Sequence, residues 1–165
     1  MTNAMLSILV KNRVGVLSRV AALFSRRGYN IESLSVCATE ISEVSRMTIT
    51  VANDRHMVEQ IKKQLLKQED VLFVKELNAE NSVSRELLLV KLKTESEKRC
   101  ETVINICSIF KAKTVDITIG TMTLELTGRK DKIDAFLEVL HNFEIIEMAR
   151  SGVSALQRGD ETIKE

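Results

Sequence analysis

Apolar residues change period along this chain in a regular order. Leu6, Ile8 and Val10 alternate, the two-residue period of one face of a strand. Val16, Leu17, Val20 and Phe24, with the small Ala21 among them, then recur at helical spacing, while Ser18, Arg19, Ser25 and Arg26 fall toward the polar side. Gly28 suits the position just past that helix, where a left-handed backbone is common. Leu34, Val36 and Ala38 alternate again. After the polar turn Glu40-Ile41-Ser42-Glu43, Met47, Ile49 and Val51 alternate against Arg46, Thr48 and Thr50. Asn53-Asp54 offers capping oxygens to a second helix with the stripe Met57, Val58, Ile61 and Leu65. Val71 to Leu77 reads as a short apolar strand that closes the unit.

The same order then returns. Leu87, Leu89 and Lys91 belong to a strand, and Cys100, Val103, Ile104, Cys107 and Phe110 define a helix. Val115, Ile117 and Ile119 alternate, Gly120 marks a tight turn, and Met122, Leu124 and Leu126 alternate after it. Gly128 precedes the helical stripe Ile133, Phe136, Leu137 and Leu140, and Phe143 to Ala149 supplies the last strand. Between the two copies the chain is polar and aperiodic, as a linker should be. The pattern predicts an α+β protein of two ferredoxin-like βαββαβ sandwiches. The first domain spans 1–78, the linker 79–84 and the second domain 85–165. That second domain includes a polar tail from Ser151, partly ordered around Val153 and Leu156. Each four-stranded sheet would leave one face uncovered and its edges unpaired, which favours oligomers.

Composition narrows the function. The 165 residues carry a formal net charge of +1, so nothing draws the chain toward nucleic acid or an anionic membrane. Basic pairs such as Arg26-Arg27 and Lys62-Lys63 stand alone, as solvated surface does. No charged segment precedes a long apolar run at the N-terminus, and no run reaches the roughly 20 residues of a membrane span. A soluble, cytoplasmic protein is expected.

The cysteines, Cys37, Cys100 and Cys107, form no Cys-x-x-Cys pair, and His56 and His141 stand far apart, so no zinc-ligand spacing is present. Cys100 and Cys107 suit a core face. Ser18 and Ser33 have no histidine nearby, Gly-x-Ser-x-Gly is absent, and so are phosphate-binding and dinucleotide-binding glycine patterns. Glu32, Glu40 and Glu43 fall at polar turns or exposed strand positions. No catalytic residue is expected. The first sheet also lacks the stacking aromatics of RNA-binding domains with this topology.

One stretch does point to a ligand. Asn12-Arg13-Val14-Gly15-Val16-Leu17 joins the first strand to the first helix, and Gly15 removes the Cβ that would block approach to the helix start. Backbone N–H groups near Val14, Gly15 and Val16 there suit an anion such as an amino-acid carboxylate. Asn30, before the second strand, offers both a donor and acceptors. Val14, Val16, Leu17 and Ile31 are aliphatic neighbours suited to an aliphatic side chain. The same residues also suit plain turns and core, and spacing does not separate the two readings.

The phrases NRVGVLSRV, LFSRRGYNIESLSV and SRMTI (Ser45 to Ile49) closely resemble the ACT domain of the acetolactate synthase (acetohydroxyacid synthase) regulatory small subunits. Ala149-Arg150-Ser151-Gly152-Val153 and Arg158-Gly159-Asp160 resemble that family too, so the likeness spans essentially the whole chain. It implies a non-catalytic subunit that binds a catalytic large subunit. That partner would carry thiamine diphosphate, a divalent metal (Mg) and usually FAD. The small subunit would activate it and confer feedback inhibition by a branched-chain amino acid, most often valine. By matching position the ligand loop would include Asn12 and Gly15. Asn30 would reach the same ligand from a second protomer, across a homodimer built on the ACT domains. A stand-alone ACT sensor acting on another partner is the alternative. A small enzyme on this fold has only the abundance of such enzymes in its favour.

Overall fold

The computed structural model describes residues 3–52 and 54–164. The chain separates into two compact units, one running to Ser84 and taking in the segment from Gly152, the other Arg85–Ser151.

Among the described residues the first unit holds β1 (Asn3–Lys11), α1 (Val16–Arg26), β2 (Ser33–Ala38), β3 (Val44–Ala52), α2 (Arg55–Leu65) and β4 (Val71–Leu77). The strands pair antiparallel in the order β2-β3-β1-β4. Alternation sets the register: Leu6 opposes Ile49 and Ile8 opposes Met47, so the apolar sets share the face toward the helices. Val20 and Phe24 of α1 and Val58, Ile61 and Leu65 of α2 complete that core. Full burial of a side chain such as Phe24 is worth about 1.5–3 kcal/mol. Asp54 caps α2 by accepting the N–H groups of His56 at 3.0 Å and Met57 at 3.1 Å. Asn53, the other capping residue expected there, lies outside the described residues.

The second unit repeats the order with β5 (Ser82–Thr94), α3 (Glu97–Phe110), β6 (Lys113–Thr118), β7 (Gly120–Gly128), α4 (Lys130–Val139), a 3-10 turn (Leu140–Asn142) and β8 (Ile145–Arg150). The sheet order is β6-β7-β5-β8. Both units therefore have the ferredoxin-like topology expected from the sequence. Leu88, Val90 and Leu92 enter the core with Val103, Cys107, Leu124 and Phe136. Phe110 tilts against Phe136 at 5.2 Å between ring centres. Leu87 and Leu89 take the other face of β5, and Ile104 is half exposed and not on the α3 core stripe. The run Leu87-Leu88-Leu89-Val90 is apolar on both faces, so its inward set is decided by pairing: Val90 stands opposite Leu124 on one side and Met148 on the other.

Two boundaries differ from the sequence expectation. Ser82 to Ser84, placed in the linker, open β5, and a short strand β9 (Ser154–Gln157) pairs with β5. The tail, assigned to the second domain, groups with the first unit instead. Val153 and Ala155 pack against Met5 and Leu77, on the sheet face away from the helices. That face, expected to be open, is thus partly covered by the chain itself. Of the two residues around which order was expected, Val153 is buried, whereas strand alternation turns Ala155 inward and leaves Leu156 57% exposed.

Candidate functional site

β1 ends at Lys11, and α1 begins at Val16 after a four-residue turn. The turn between them is fixed from two directions. The Asn12 N–H donates to the Glu43 carbonyl at 2.7 Å, and Asn12 Nδ2 donates to the Ser42 carbonyl at 2.8 Å. Asn12 therefore pins the turn to the β2–β3 loop. Gly15 occupies the capping position of α1 with φ of 85°, in the left-handed region, and no side chain caps the helix. Glycine suits that backbone because it has no Cβ to clash there.

The uncapped start leaves donors. Val16 N–H makes a long 3.3 Å bond to the Arg13 carbonyl. Among the described residues no acceptor takes the N–H groups of Val14 or Gly15. The dipole of an 11-residue helix adds partial positive charge at this end. The Arg19 guanidinium lies beside it, ion-paired with Asp70. Its Nη2 donates to Asp70 Oδ2 at 2.5 Å, and its Nη1 lies 3.0 Å from where a Cβ on Gly15 would stand. By sequence pattern Arg19 falls on the polar side of the helix. Its spacing of four from Gly15, one helical turn along the same face, is the signal that marks it.

The side chains around the turn divide. Val14 is fully exposed, and Leu17 is 43% exposed although its spacing fits the apolar stripe. Both are free to meet a ligand or a second protomer. Val16 is buried in the core, so only its backbone faces the turn. Ile31 packs partly buried against the same core. Asn30 is exposed, and no hydrogen bond ties it to Asn12, Val14 or Gly15 within the chain. The structure thus gathers Asn12, Val14, Gly15 and Leu17 at one turn and leaves Asn30 and Ile31 at the start of β2.

A cleft of about 420 Å³ lies elsewhere, lined by Arg55, Glu59, Lys62, Val74, Lys75, Glu76 and Asn78. Its charges are largely paired: Lys62 is 2.7 Å from Glu59 and 3.9 Å from Glu76. The described residues contain no group of three or more His, Cys, Asp or Glu side chains arranged to hold a metal ion. No described helix is long and apolar enough to cross a membrane. Cys107 is buried, and burial raises its thiol above the usual range against a hydrogen bond with Thr114. That direction suits a core residue and not a nucleophile.

Comparison with known proteins gives a consistent picture. Residues 6–73 match the family described as the AHAS small subunit-like ACT domain. Residues 85–159 match the family described as the small subunit of acetolactate synthase. The chain is 49% identical over 154 residues to the acetolactate synthase small subunit of Mycobacterium leprae, covering 93% of this chain and 90% of that one. It is 47% identical over 160 residues to the acetolactate synthase isozyme 3 small subunit of Salmonella typhimurium, covering 96% and 98%. The crystal structure of the acetolactate synthase small subunit from Thermotoga maritima superposes with a TM-score of 0.88 at 34% identity, covering 98% of this chain and all of that one.

Proposed function

Because the chain belongs to the family of acetolactate synthase small subunits, we propose that it is the regulatory subunit that activates a catalytic large subunit and makes it sensitive to a branched-chain amino acid, valine foremost. The observation that carries the reading is the uncapped start of α1 at Gly15, with unclaimed N–H groups and a guanidinium beside it. An effector carboxylate accepts the Val14 and Gly15 N–H groups. Hydrogen bonds to a charged group contribute about 1.5–3 kcal/mol net each. The aliphatic side chain lies against Val14 and Leu17, which are too exposed in the single chain to enclose it.

A second protomer supplies the enclosure. Asn30 and Ile31 come from its β2 start, so two sites form per homodimer and dimerisation is a condition of binding. The exposure of Val14 and Leu17 and the absence of any intrachain bond from Asn30 to the turn support this reading. Thiamine diphosphate, Mg and FAD belong to the large subunit, which performs the chemistry. This chain contributes no reacting group and acts through conformation or mobility of the complex.

The test is the rate of the large subunit with and without this chain, titrated with valine, leucine and isoleucine, alongside calorimetry on the isolated chain. Activation together with inhibition by at least one of the three is expected. No activation, or no heat and no inhibition with any of them, overturns the proposal. Co-purification with an unrelated partner instead would favour the stand-alone sensor.

A further inference from the structure

The segment after Ser151 returns to the first unit through a tightly built joint. A Cβ on Gly152 would overlap the carbonyl oxygen of Leu34 and stand 2.8 Å from the Ser35 nitrogen. Only glycine lets the two backbones come this close. One residue on, the Val153 carbonyl accepts a 2.6 Å hydrogen bond from Ser35 Oγ. Val153 and Ala155 then pack with Met5 and Leu77. Farther along, the Arg158 N–H donates to the Asn81 carbonyl at 2.8 Å. Lys75 Nζ donates to the Thr162 carbonyl at 3.0 Å and lies 3.7 Å from Glu161. The segment is an anchored strap, and its first anchor is β2.

β2 is also the strand that Asn30 and Ile31 lead into. The intervening residues are held to β3: Glu32 N–H donates to the Thr50 carbonyl at 2.9 Å, and Ser33 Oγ lies 2.7 Å from Thr50 Oγ1. Paired backbone thus runs from Ser35 to Glu32, two residues from Asn30. At the other end of the joint, Ser151 is fixed within the second unit. Its N–H donates to the Leu87 carbonyl and its Oγ accepts the Leu87 N–H, both at 2.9 Å.

We infer that Ser35 and Gly152 are positioning residues for the effector site. They tie the strand that presents Asn30 and Ile31 to the segment continuous with the second unit, so docking of the strap and binding of effector are coupled. This rests on the reading of Asn30 as an effector contact. Coupling of this kind is reciprocal: loosening the joint weakens effector binding, and effector protects the joint.

The experiment uses the full-length chain with its large subunit, as wild type, Ser35→Ala and Gly152→Ala. Valine inhibition, the uninhibited rate and amide hydrogen exchange are measured on each. In both variants the half-inhibitory valine concentration rises about fivefold or more while the uninhibited rate holds. In the wild type, valine slows exchange at Val153 to Leu156, a response that a merely structural joint would not show. Folded variants with wild-type inhibition curves overturn the inference, as does tail exchange that ignores valine. If Gly152→Ala does not fold, Ser35→Ala decides. A wild type that responds to none of the three amino acids overturns the sensor reading as well, which separates the two failures.

Discussion

Arg19 Nη1 stands 3.0 Å from the point where a Cβ on Gly15 would be, and Gly15 has φ of 85°. The pair makes the turn sterically intolerant and sets a guanidinium, ion-paired with Asp70, beside it. Gly15→Ala strains the left-handed backbone by about 1–2 kcal/mol and displaces the guanidinium. Gly15→Asp does both and sets a carboxylate in the position proposed for the effector carboxylate. Each variant is expected to raise the half-inhibitory valine concentration at least about tenfold, which corresponds to roughly 1.4 kcal/mol. The measurement is an inhibition curve referred to each variant's own uninhibited rate. An unshifted curve for Gly15→Asp places the site elsewhere.

If each site combines Gly15 of one protomer with Asn30 of the other, defects in the two should complement. Asn30→Ala alone and Gly15→Asp alone are expected to bind valine poorly. Mixed and allowed to exchange subunits, they form heterodimers with one intact site and one doubly defective site. Calorimetry of the mixture is expected to recover up to one site per heterodimer, an average of about half a site per dimer after random exchange. No recovery despite proven exchange means that both residues act within one protomer.

Acid should loosen the second unit through Asp134. Burial works against its charged form, but hydrogen bonds and charge from Lys130 and Arg150 outweigh burial and hold it below the usual carboxylate value of 3.8. A depressed folded-state value adds stability above the unfolded one and loses it as pH falls through the folded one. Stability to urea is therefore expected to drop as pH falls from about 5 through the usual carboxylate value of 3.8 and below it. Asp134→Asn should flatten part of that slope. An identical slope in the variant would show that other carboxylates carry it.

Asp54 caps α2 through two backbone N–H groups, those of His56 and Met57. Asp54→Ala is expected to cost about 1 kcal/mol, within the usual range for a lost cap of about 0.5–2 kcal/mol. Asp54→Ser should restore most of it. Urea melts of the three chains check this, and an unchanged midpoint in Asp54→Ala would mean that the cap is energetically idle.

How much was legible in the sequence depended on the range of the interaction. Leu6, Ile8 and Val10 against Met47, Ile49 and Val51 revealed both strands and their inward face, because alternation is local. Gly15 was legible as a special turn for the same reason. Arg19 was not, since its position beside Gly15 depends on α1 continuing one full turn and on Asp70 holding the guanidinium. The partition of Leu87-Leu88-Leu89-Val90 was equally hidden: with apolar residues on both faces, only the partners across the sheet choose which set goes inward.

The C-terminal segment shows the division most sharply. Gly152, Val153 and Ala155 looked like a polar tail because their stretch is short and mostly hydrophilic. Their partners, Leu34, Ser35, Met5 and Leu77, lie at least 75 positions earlier in the chain. Local periodicity by itself determined the doubled βαββαβ order, the inward face of the first sheet and the glycine turn, because each of these follows from neighbours within a few residues. Only the tertiary structure decided that the tail straps the first sheet and that Val16 turns into the core while Val14 and Leu17 stay outside. Those outcomes depend on which distant backbone is close enough to exclude a Cβ or accept a hydrogen bond, and no local pattern encodes that distance.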